Sequence, residues 1–216
     1  MKNILITGGT GFIGLNLIRK LFKTNINKNF KVYVLSRKKE LYINEIDYEV
    51  LSKVKFIRGD ICNFQTSIKF EEIYHLAYDT VINDNFLESS CKTIIDGLIN
   101  IVKICQKSNA KRLVFLSSGA VYENLKKNGF KTDETLSFNL FNRDEHYGIL
   151  KATAEHYLWS MFINKNTKIS IYRVFAVIGP YMRLNANFIL GNIIENLLNN
   201  KKNSFKTDCK VYRNII

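Results

Sequence analysis

The stretch from Ile4 to Gly14, ILITGGTGFIG, constrains the fold more than any other part of the chain. Its apolar run breaks into glycines and then resumes at helical spacing. The resumed positions are Ile13, Leu17, Ile18 and Leu21. This order predicts a buried strand, a tight turn and a helix, with the backbone of the turn able to approach a phosphate and the helix N-terminus able to attract its charge.

The glycines fit two spacings, G-x-G-x-x-G from Gly9 and G-x-x-G-x-x-G from Gly8. Both favour a dinucleotide site, in which Gly8, Gly9 and Gly11 leave the backbone bare for a pyrophosphate and Gly14 lets the helix lie close to the strand. The alternative is a glycine-rich turn that binds nothing. The predicted cofactor contacts in this stretch are Gly8, Gly11, Phe12, Ile13 and Gly14.

Strand and helix patterns alternate along the rest of the chain. Strands are predicted at 31–35, 54–58, 72–77, 111–116, 168–174 and 209–216, and helices at 91–105, from Tyr147 onwards and at 188–198. The pattern predicts the α/β class: a Rossmann-type doubly wound parallel sheet with helices on both faces and an incomplete C-terminal substrate lobe. We expect a dinucleotide-binding domain at 1–178 and the start of a substrate-binding lobe, truncated, at 179–216.

Two strand ends bear on the cofactor. The second predicted strand is followed by Ser36, Arg37 and Lys38, where an NAD enzyme would offer an acid to the adenosine ribose. A guanidinium suits a 2′-phosphate, so Arg37 favours NADP over NAD; a solvated basic loop is the alternative. After the third strand, Asp60 either meets adenine or caps a helix. The remaining predicted cofactor contacts are Asp60, Ile61, Ala77, Tyr147 and Lys151.

Charge and cysteine usage exclude some classes of protein. The net charge is +13, but the basic residues are scattered, which argues against nucleic acid and for a phosphate-rich ligand. The four cysteines lack metal spacing and are expected to be reduced and mostly buried, and His75 to be a packed core residue rather than a ligand, so no metal site is predicted. Without a leader or a long apolar run, we expect a cytoplasmic protein that does not bind membranes.

Three residues carry the predicted chemistry: Ser118, Tyr147 and Lys151. Tyr147 and Lys151 are four positions apart and share a helix face. An ammonium there is expected to lower the pKa of the phenol, which is near 10 in free tyrosine. Tyr147 would exchange a proton with a sugar hydroxyl while hydride moves between the same carbon and nicotinamide, and Ser118 would hold the oxygen. A second Y-x-x-x-K, at Tyr122 and Lys126, lacks helical periodicity and is disfavoured.

Six segments together resemble the extended short-chain dehydrogenase/reductase family, in particular its nucleotide-sugar epimerase and dehydratase branch. They are TGGTGFIG at 7–14, GDI at 59–61, HLA at 75–77, LSSGAVYE at 116–123, YGILK at 147–151 and RVFAVIGP at 173–180. The resemblance implies that Tyr147 is the catalytic acid or base, Lys151 its partner and ribose anchor, and Ser118 the group that polarises the sugar oxygen. It also implies that Arg213 grips the substrate diphosphate. The predicted substrate contacts are Ser118, Tyr147, Asn187 and Arg213.

Departures from the family pattern narrow the expected reaction. Ala176 replaces an asparagine that usually lies near the sugar, and Gly119-Ala120 replaces the Asp-Glu of 4,6-dehydratases, which disfavours loss of water. The chain ends short of the family's length, as a fragment or as a protein with a reduced sugar site. We expect a 4-epimerase or 4-ketoreductase of a nucleoside-diphosphate sugar for surface glycan synthesis. The protein is expected to form a homodimer through the helices containing Ile94–Cys105 and Tyr147–Phe162. A reductase of a non-sugar carbonyl and a dinucleotide-binding regulator or pseudoenzyme are the alternatives.

Overall fold

The structure is a computed structural model that describes residues 1–24, 29–37, 50, 52–78, 86–122, 146–182, 184 and 189–203. Its internal contacts separate two compact units, Met1–Val174 and Phe175–Ile216. The functional assignment of the two predicted domains stays a prediction.

The first unit is built on six parallel strands in the order β3-β2-β1-β4-β5-β6. The strands are β1 (Lys2–Thr7), β2 (Phe30–Ser36), β3 (Val54–Arg58), β4 (Glu72–His75), β5 (Arg112–Ser118) and β6 (Lys168–Val174). The helices are α1 (Phe12–Thr24), α2 (Phe86–Cys91), α3 (Gly97–Ser108) and α4 (His146–Phe162), with a π-helical segment at Lys92–Asp96 and a 3-10 turn at Gly119–Tyr122. The predicted doubly wound α/β fold is confirmed.

Alternation along the strands supplies a core on each face of the sheet. In β1, Ile4 and Ile6 point to one side and pack with Ile18 of α1, whereas Leu5 packs on the other side with Ile101 of α3. The second face also holds the buried positions of α4, which are Ala154, Leu158 and Phe162. These three belong to the apolar stripe that the sequence predicts for this helix.

The parallel register brings the carboxyl ends of the strands to one edge. Thr7 of β1 is paired with both Leu35 of β2 and His75 of β4, and His75 is paired with Phe115 of β5. Strand order reverses between β1 and β4, because β1 lies between β2 and β4 in the sheet. Open parallel sheets bind ligands at such a switch point.

Some boundaries differ from the predictions. The strand predicted at 72–77 ends at His75, although the N–H of Leu76 still donates to the carbonyl of Thr7 at 3.1 Å. The single helix predicted at 91–105 is interrupted by the π-helical segment. Cys105 is buried, but Cys62 and Cys91 are only half-buried, so the expectation that most thiols are buried is wrong for the described cysteines.

In the second unit the structure describes α5 (Ile189–Leu198), and Phe188, where the predicted helix begins, lies outside the described residues. Its Ile189, Leu197 and Leu198 are exposed. The strand predicted at 209–216 lies outside the described residues. Within the described part of the chain, no helix has both the length and the apolarity needed to span a bilayer.

Candidate active site

The protein's own packing requires glycine at three positions: Gly8 and Gly9 in the turn between β1 and α1, and Gly14 in the first turn of α1. Gly8 has φ +70°, and a Cβ there would lie 2.7 Å from the amide nitrogen of Ala77. A Cβ on Gly9 would lie 2.8 Å from the methyl groups of Val34, and one on Gly14 would overlap the carbonyl oxygen of Gly8. Contacts this close exclude a side chain, so these positions need glycine with or without a ligand.

Gly11 differs from its neighbours. Among the described residues, a Cβ at this position would meet only the carbonyl oxygen of Gly8, at 3.4 Å. Gly11 precedes Phe12, the first residue of α1, and its carbonyl accepts from the N–H of Leu15 at 2.9 Å. The open side of the turn therefore lies at a helix N-terminus, where unpaired N–H groups attract anions. Gly11, Phe12 and Ile13 fit the phosphates of a dinucleotide.

Asp60 organises the turn that follows β3. Its Oδ1 accepts from the N–H of Cys62 at 2.9 Å, and this hydrogen bond is the main reason that the pKa of the carboxyl group is lowered. The positive charges of Arg37 and Lys92 lower it further. Asp60 thus closes a local turn at residues 61–63, and because no helix begins there, the helix-cap alternative is wrong. Its contact with adenine stays a prediction.

The turn after β3 is also held from α3. Ile61 is buried against Gly97, where a Cβ would lie 2.6 Å from the Ile61 side chain. The side-chain amide of Asn100 donates to the carbonyl of Ile61 at 2.8 Å and to that of Phe64 at 2.9 Å. Asn100 was not singled out from the sequence, because it is not one of the apolar positions of this helix and no local pattern reports its contacts.

His75 is a packed core histidine, as predicted. It is 1% exposed, lies 5.6 Å from the ring of Phe115, and shares a 2.8 Å hydrogen bond between its Nδ1 and the hydroxyl of Thr7. The Thr7 oxygen also accepts from the N–H of Ala77 at 3.3 Å. Burial lowers the pKa of His75 to about 3, with a smaller contribution from Lys151, and keeps the ring neutral. Among the described residues, no cluster of His, Cys, Asp or Glu could hold a metal.

The structure brings Ser118, Tyr147 and Lys151 together at the carboxyl edge of the sheet. Ser118 ends β5, and Tyr147 and Lys151 occupy successive turns at the start of α4. The side chain of Ser118 hydrogen-bonds the phenol of Tyr147, as does the side chain of Tyr78, whose ring lies 4.9 Å from that of Tyr147. The Oγ of Ser118 also accepts from the N–H of Ala120 at 3.1 Å.

Lys151 is a buried ammonium in an aromatic pocket. It is 3% exposed, and its Nζ donates to the carbonyl of Leu116 at 2.8 Å. The Nζ lies 4.8 Å from the ring centre of Phe115, 5.2 Å from that of Tyr78 and 6.0 Å from that of Tyr147. Burial lowers the pKa of Lys151 to about 8, and the nearby Glu155 acts in the opposite direction.

The expected lowering of the Tyr147 pKa is wrong for this structure. Burial raises the pKa of the phenol, and the hydrogen bonds from Ser118 and Tyr78 offset only part of that effect. Lys151 does not reverse it, because its ammonium donates to the Leu116 carbonyl. Tyr147 therefore holds its proton at neutral pH in this arrangement.

A second polar cluster supports the same edge and was missed in the sequence. Glu155, one turn beyond Lys151, accepts from Nε and Nη2 of Arg173, and the distance from Nη2 to Oε2 is 2.6 Å. Arg173 also donates through Nη1 to the hydroxyl of Tyr122 at 2.6 Å, and Ser117 donates a short hydrogen bond to Glu155. An acidic residue among the apolar positions of α4 was the available signal for a buried partner.

The remaining predicted substrate residues are not placed. Asn187 and Arg213 lie outside the described residues, as does Lys126 of the disfavoured Y-x-x-x-K copy. Tyr122 of that copy belongs to the Arg173 cluster. Ala77 is placed, next to the glycine turn.

The sequence profile of the NAD dependent epimerase/dehydratase family matches residues 4–215. The chain is 28% identical to the dTDP-D-glucose 4,6-dehydratase of Dictyostelium discoideum, with 100% of this chain and 52% of the relative covered. It is 31% identical to the ADP-L-glycero-D-manno-heptose-6-epimerase of Brachyspira hyodysenteriae, with 82% of this chain and 55% of the relative covered.

Among solved structures, the chain resembles a UDP-glucose 4-epimerase from Thermotoga maritima in complex with UDP-glucose. The TM-score is 0.81 at 22% identity, and the match covers 99% of this chain and 69% of that one. The likeness extends the shared fold to nearly the whole chain, which spans about half the length of the two curated relatives. Since the family profile covers all but the ends of the sequence, the chain belongs to the NAD dependent epimerase/dehydratase family.

Proposed function

We propose that this chain carries the cofactor site and catalytic trio of an NAD(P)-dependent enzyme that acts at C4 of a nucleoside-diphosphate sugar, as a 4-epimerase or 4-ketoreductase. The observation that carries the proposal is the hydrogen-bonded pair of Ser118 and Tyr147, with Lys151 beside it. The trio lies at the same sheet edge as the open glycine turn. A phenol in such a place is useful where a proton and a hydride leave or join one carbon–oxygen unit.

The residues have distinct tasks in this reaction. A bound nicotinamide would supply a hydride acceptor or donor for the sugar carbon, and Gly11, Phe12 and Ile13 would hold the phosphates of the dinucleotide. Ser118 binds the reacting sugar oxygen through its hydroxyl. Tyr147 Oη moves the proton of that oxygen, and Lys151 lowers the cost of a negative charge on Oη when its ammonium turns from the Leu116 carbonyl towards the phenol. The same set serves oxidation and reduction, as epimerisation requires.

For the cofactor we propose NADP over NAD. Arg37 supports this choice, since a guanidinium matches a 2′-phosphate. It stands one residue beyond the end of β2, and its charge reaches Asp60 at the end of β3. The lowered pKa of Asp60 keeps a carboxylate there as well, and this carboxylate is the group that would compete with the 2′-phosphate for Arg37.

Other features support the choice among reactions and partners. Gly119 and Ala120 follow Ser118 in the 3-10 turn, so neither position offers the acid that loss of water needs. We propose a homodimer through the outer faces of α3 and α4, because Trp159 is exposed on α4 and Ile163, the residue after its end, is exposed as well.

A thermal-shift matrix tests the proposal. The chain is heated with NAD or NADP, each alone and together with a panel of UDP-, dTDP- and ADP-sugars. We expect NADP to stabilise more than NAD and at least one nucleotide sugar to add to that shift. Arg37→Met is the matched control and should remove the preference for NADP. Stabilisation by cofactor but by no sugar nucleotide would overturn the substrate assignment and favour a regulator, while turnover of a simple ketone would favour a non-sugar reductase.

A further inference from the structure

Lys151 and Glu155 lie one turn apart on α4, in the spacing at which a lysine and a glutamate on one helix pair directly. They do not pair here. The Lys151 ammonium donates to the Leu116 carbonyl at 2.8 Å, and the Glu155 carboxylate accepts from Arg173 of β6. Both side chains are buried, at 3% and 7% exposure, where an ion pair between them would be strong.

The contacts of Arg173 explain why the helical pair does not form. Its Nε lies 3.1 Å from both carboxylate oxygens of Glu155 and its Nη2 2.6 Å from Oε2, so the guanidinium engages the whole carboxylate. Ser117 donates a further hydrogen bond to Oε1. Tyr122 fixes the far side of the guanidinium, accepting from Nη1 at 2.6 Å, with its ring 4.7 Å from the guanidinium carbon. Little acceptor capacity is left for Lys151.

We propose that Arg173 is a positioning residue for the catalytic trio: by occupying the Glu155 carboxylate it keeps the Lys151 ammonium free of that carboxylate and beside Tyr147, where it can turn from the Leu116 carbonyl to the phenol. The inference rests on the proposed function, since it concerns how the same site is prepared. Two residues near Ser118 in the chain hold the ends of the ion pair. Ser117 donates to the Glu155 carboxylate, and Tyr122 accepts from the Arg173 guanidinium.

Several other charged or titratable groups face Lys151, but among the described residues none of them takes the place of Glu155 as its neighbouring anion. On its own helix, Tyr147 and Glu155 face Lys151, and His75 and Tyr78 face it from the end of β4. Arg173 of β6 acts on Lys151 indirectly, because it pairs with Glu155. His75 is neutral and Tyr147 keeps its proton, because burial disfavours the charged forms of both side chains. Among the described residues, Glu155 is thus the anion that sets the charge of Lys151, and Arg173 controls it.

The test measures the pKa of Lys151 by NMR in the whole chain labelled with ¹³C at lysine Cε, with the signal assigned by its loss in Lys151→Met. Arg173→Met leaves Glu155 unpaired and should raise this pKa by on the order of one unit. Glu155→Gln removes the anion and should lower it by a similar amount. The double variant should lie closer to the parent than either single variant. A purely structural role of the pair predicts no such opposite shifts.

Milder variants keep the test decisive if Arg173→Met does not fold. Arg173→Lys retains the charge and should shift the Lys151 pKa less than Arg173→Met, and Tyr122→Phe should raise it slightly. Equal or same-sign shifts in the arginine and glutamate variants, or none, would overturn the proposal. The readout needs no substrate: opposite shifts without sugar turnover would reject the proposed function alone, whereas turnover without those shifts would reject only the role of Arg173.

Discussion

The glycine turn and the catalytic trio lie at one edge of the sheet but are determined in different ways. In the turn, the excluded Cβ positions of Gly8, Gly9 and Gly14 are set by backbone and side chains of neighbouring elements, a steric requirement. At the trio, the behaviour of Tyr147 and Lys151 is set by burial and by charges on other elements. The glycines at the turn are therefore fixed by the steric needs of the fold, whereas the properties of the trio depend on the charges and burial around it.

At neutral pH, the largest effect on stability is expected from the glycines at the turn. Gly14→Ala places a Cβ on the carbonyl oxygen of Gly8 and should lower the free energy of unfolding by roughly 2–4 kcal/mol. Gly11→Ala, facing open space, should change stability little but weaken dinucleotide binding. Chemical denaturation and cofactor titration of the two variants check this. Equal destabilisation by both would show that sterics do not distinguish the two glycines.

The next effect concerns pH and His75. Its pKa is about 3 in the folded chain and 6.5 when unperturbed, so the unfolded chain binds the extra proton between these values. Stability from this residue is complete above pH 6.5 and is lost as pH falls towards 3, by on the order of 4 kcal/mol. Denaturation across this range should show a shallower acid slope in His75→Gln than in the parent. Parallel slopes would contradict the buried neutral histidine.

A smaller effect is expected at the turn after β3. Asn100→Ala removes two hydrogen bonds to the carbonyls of Ile61 and Phe64 and should cost roughly 1–3 kcal/mol. The turn that carries Asp60 should also loosen, so cofactor affinity should fall. Asn199→Ala is the matched control, because its amide makes an exposed hydrogen bond to the Glu195 carbonyl. If both variants behave alike, the anchor from α3 has no role in the cofactor site.

Much of the fold could be predicted because it follows local patterns. The bounds of β3 and β6 were predicted to the residue, and the apolar stripe of α4 lies where the spacing puts it. The π-helical segment at Lys92–Asp96 was missed, since apolar residues continue through it at helical spacing. Local patterns therefore specify elements better than irregularities within them.

The sequence predicted that Ser118, Tyr147 and Lys151 would lie close together, but it did not predict their electrostatics. The Y-x-x-x-K spacing and the polar end of a strand are local signals, and the structure brings the three residues together. The raised pKa of Tyr147 depends on burial beside Tyr78, which is 69 positions earlier in the sequence, and no local pattern reports such packing. The pairing of Glu155 with Arg173 is likewise not a local pattern, because it joins α4 to β6 across 18 positions.

The central claim is that Tyr147 moves the substrate proton while the glycine turn holds the cofactor. It is tested most directly by turnover of the nucleotide sugar that the thermal-shift matrix selects, measured for the parent and for Tyr147→Phe, together with cofactor affinity. We expect kcat of Tyr147→Phe to fall roughly 10²–10⁴-fold, with nearly unchanged cofactor affinity. Near-parent turnover in Tyr147→Phe would contradict it.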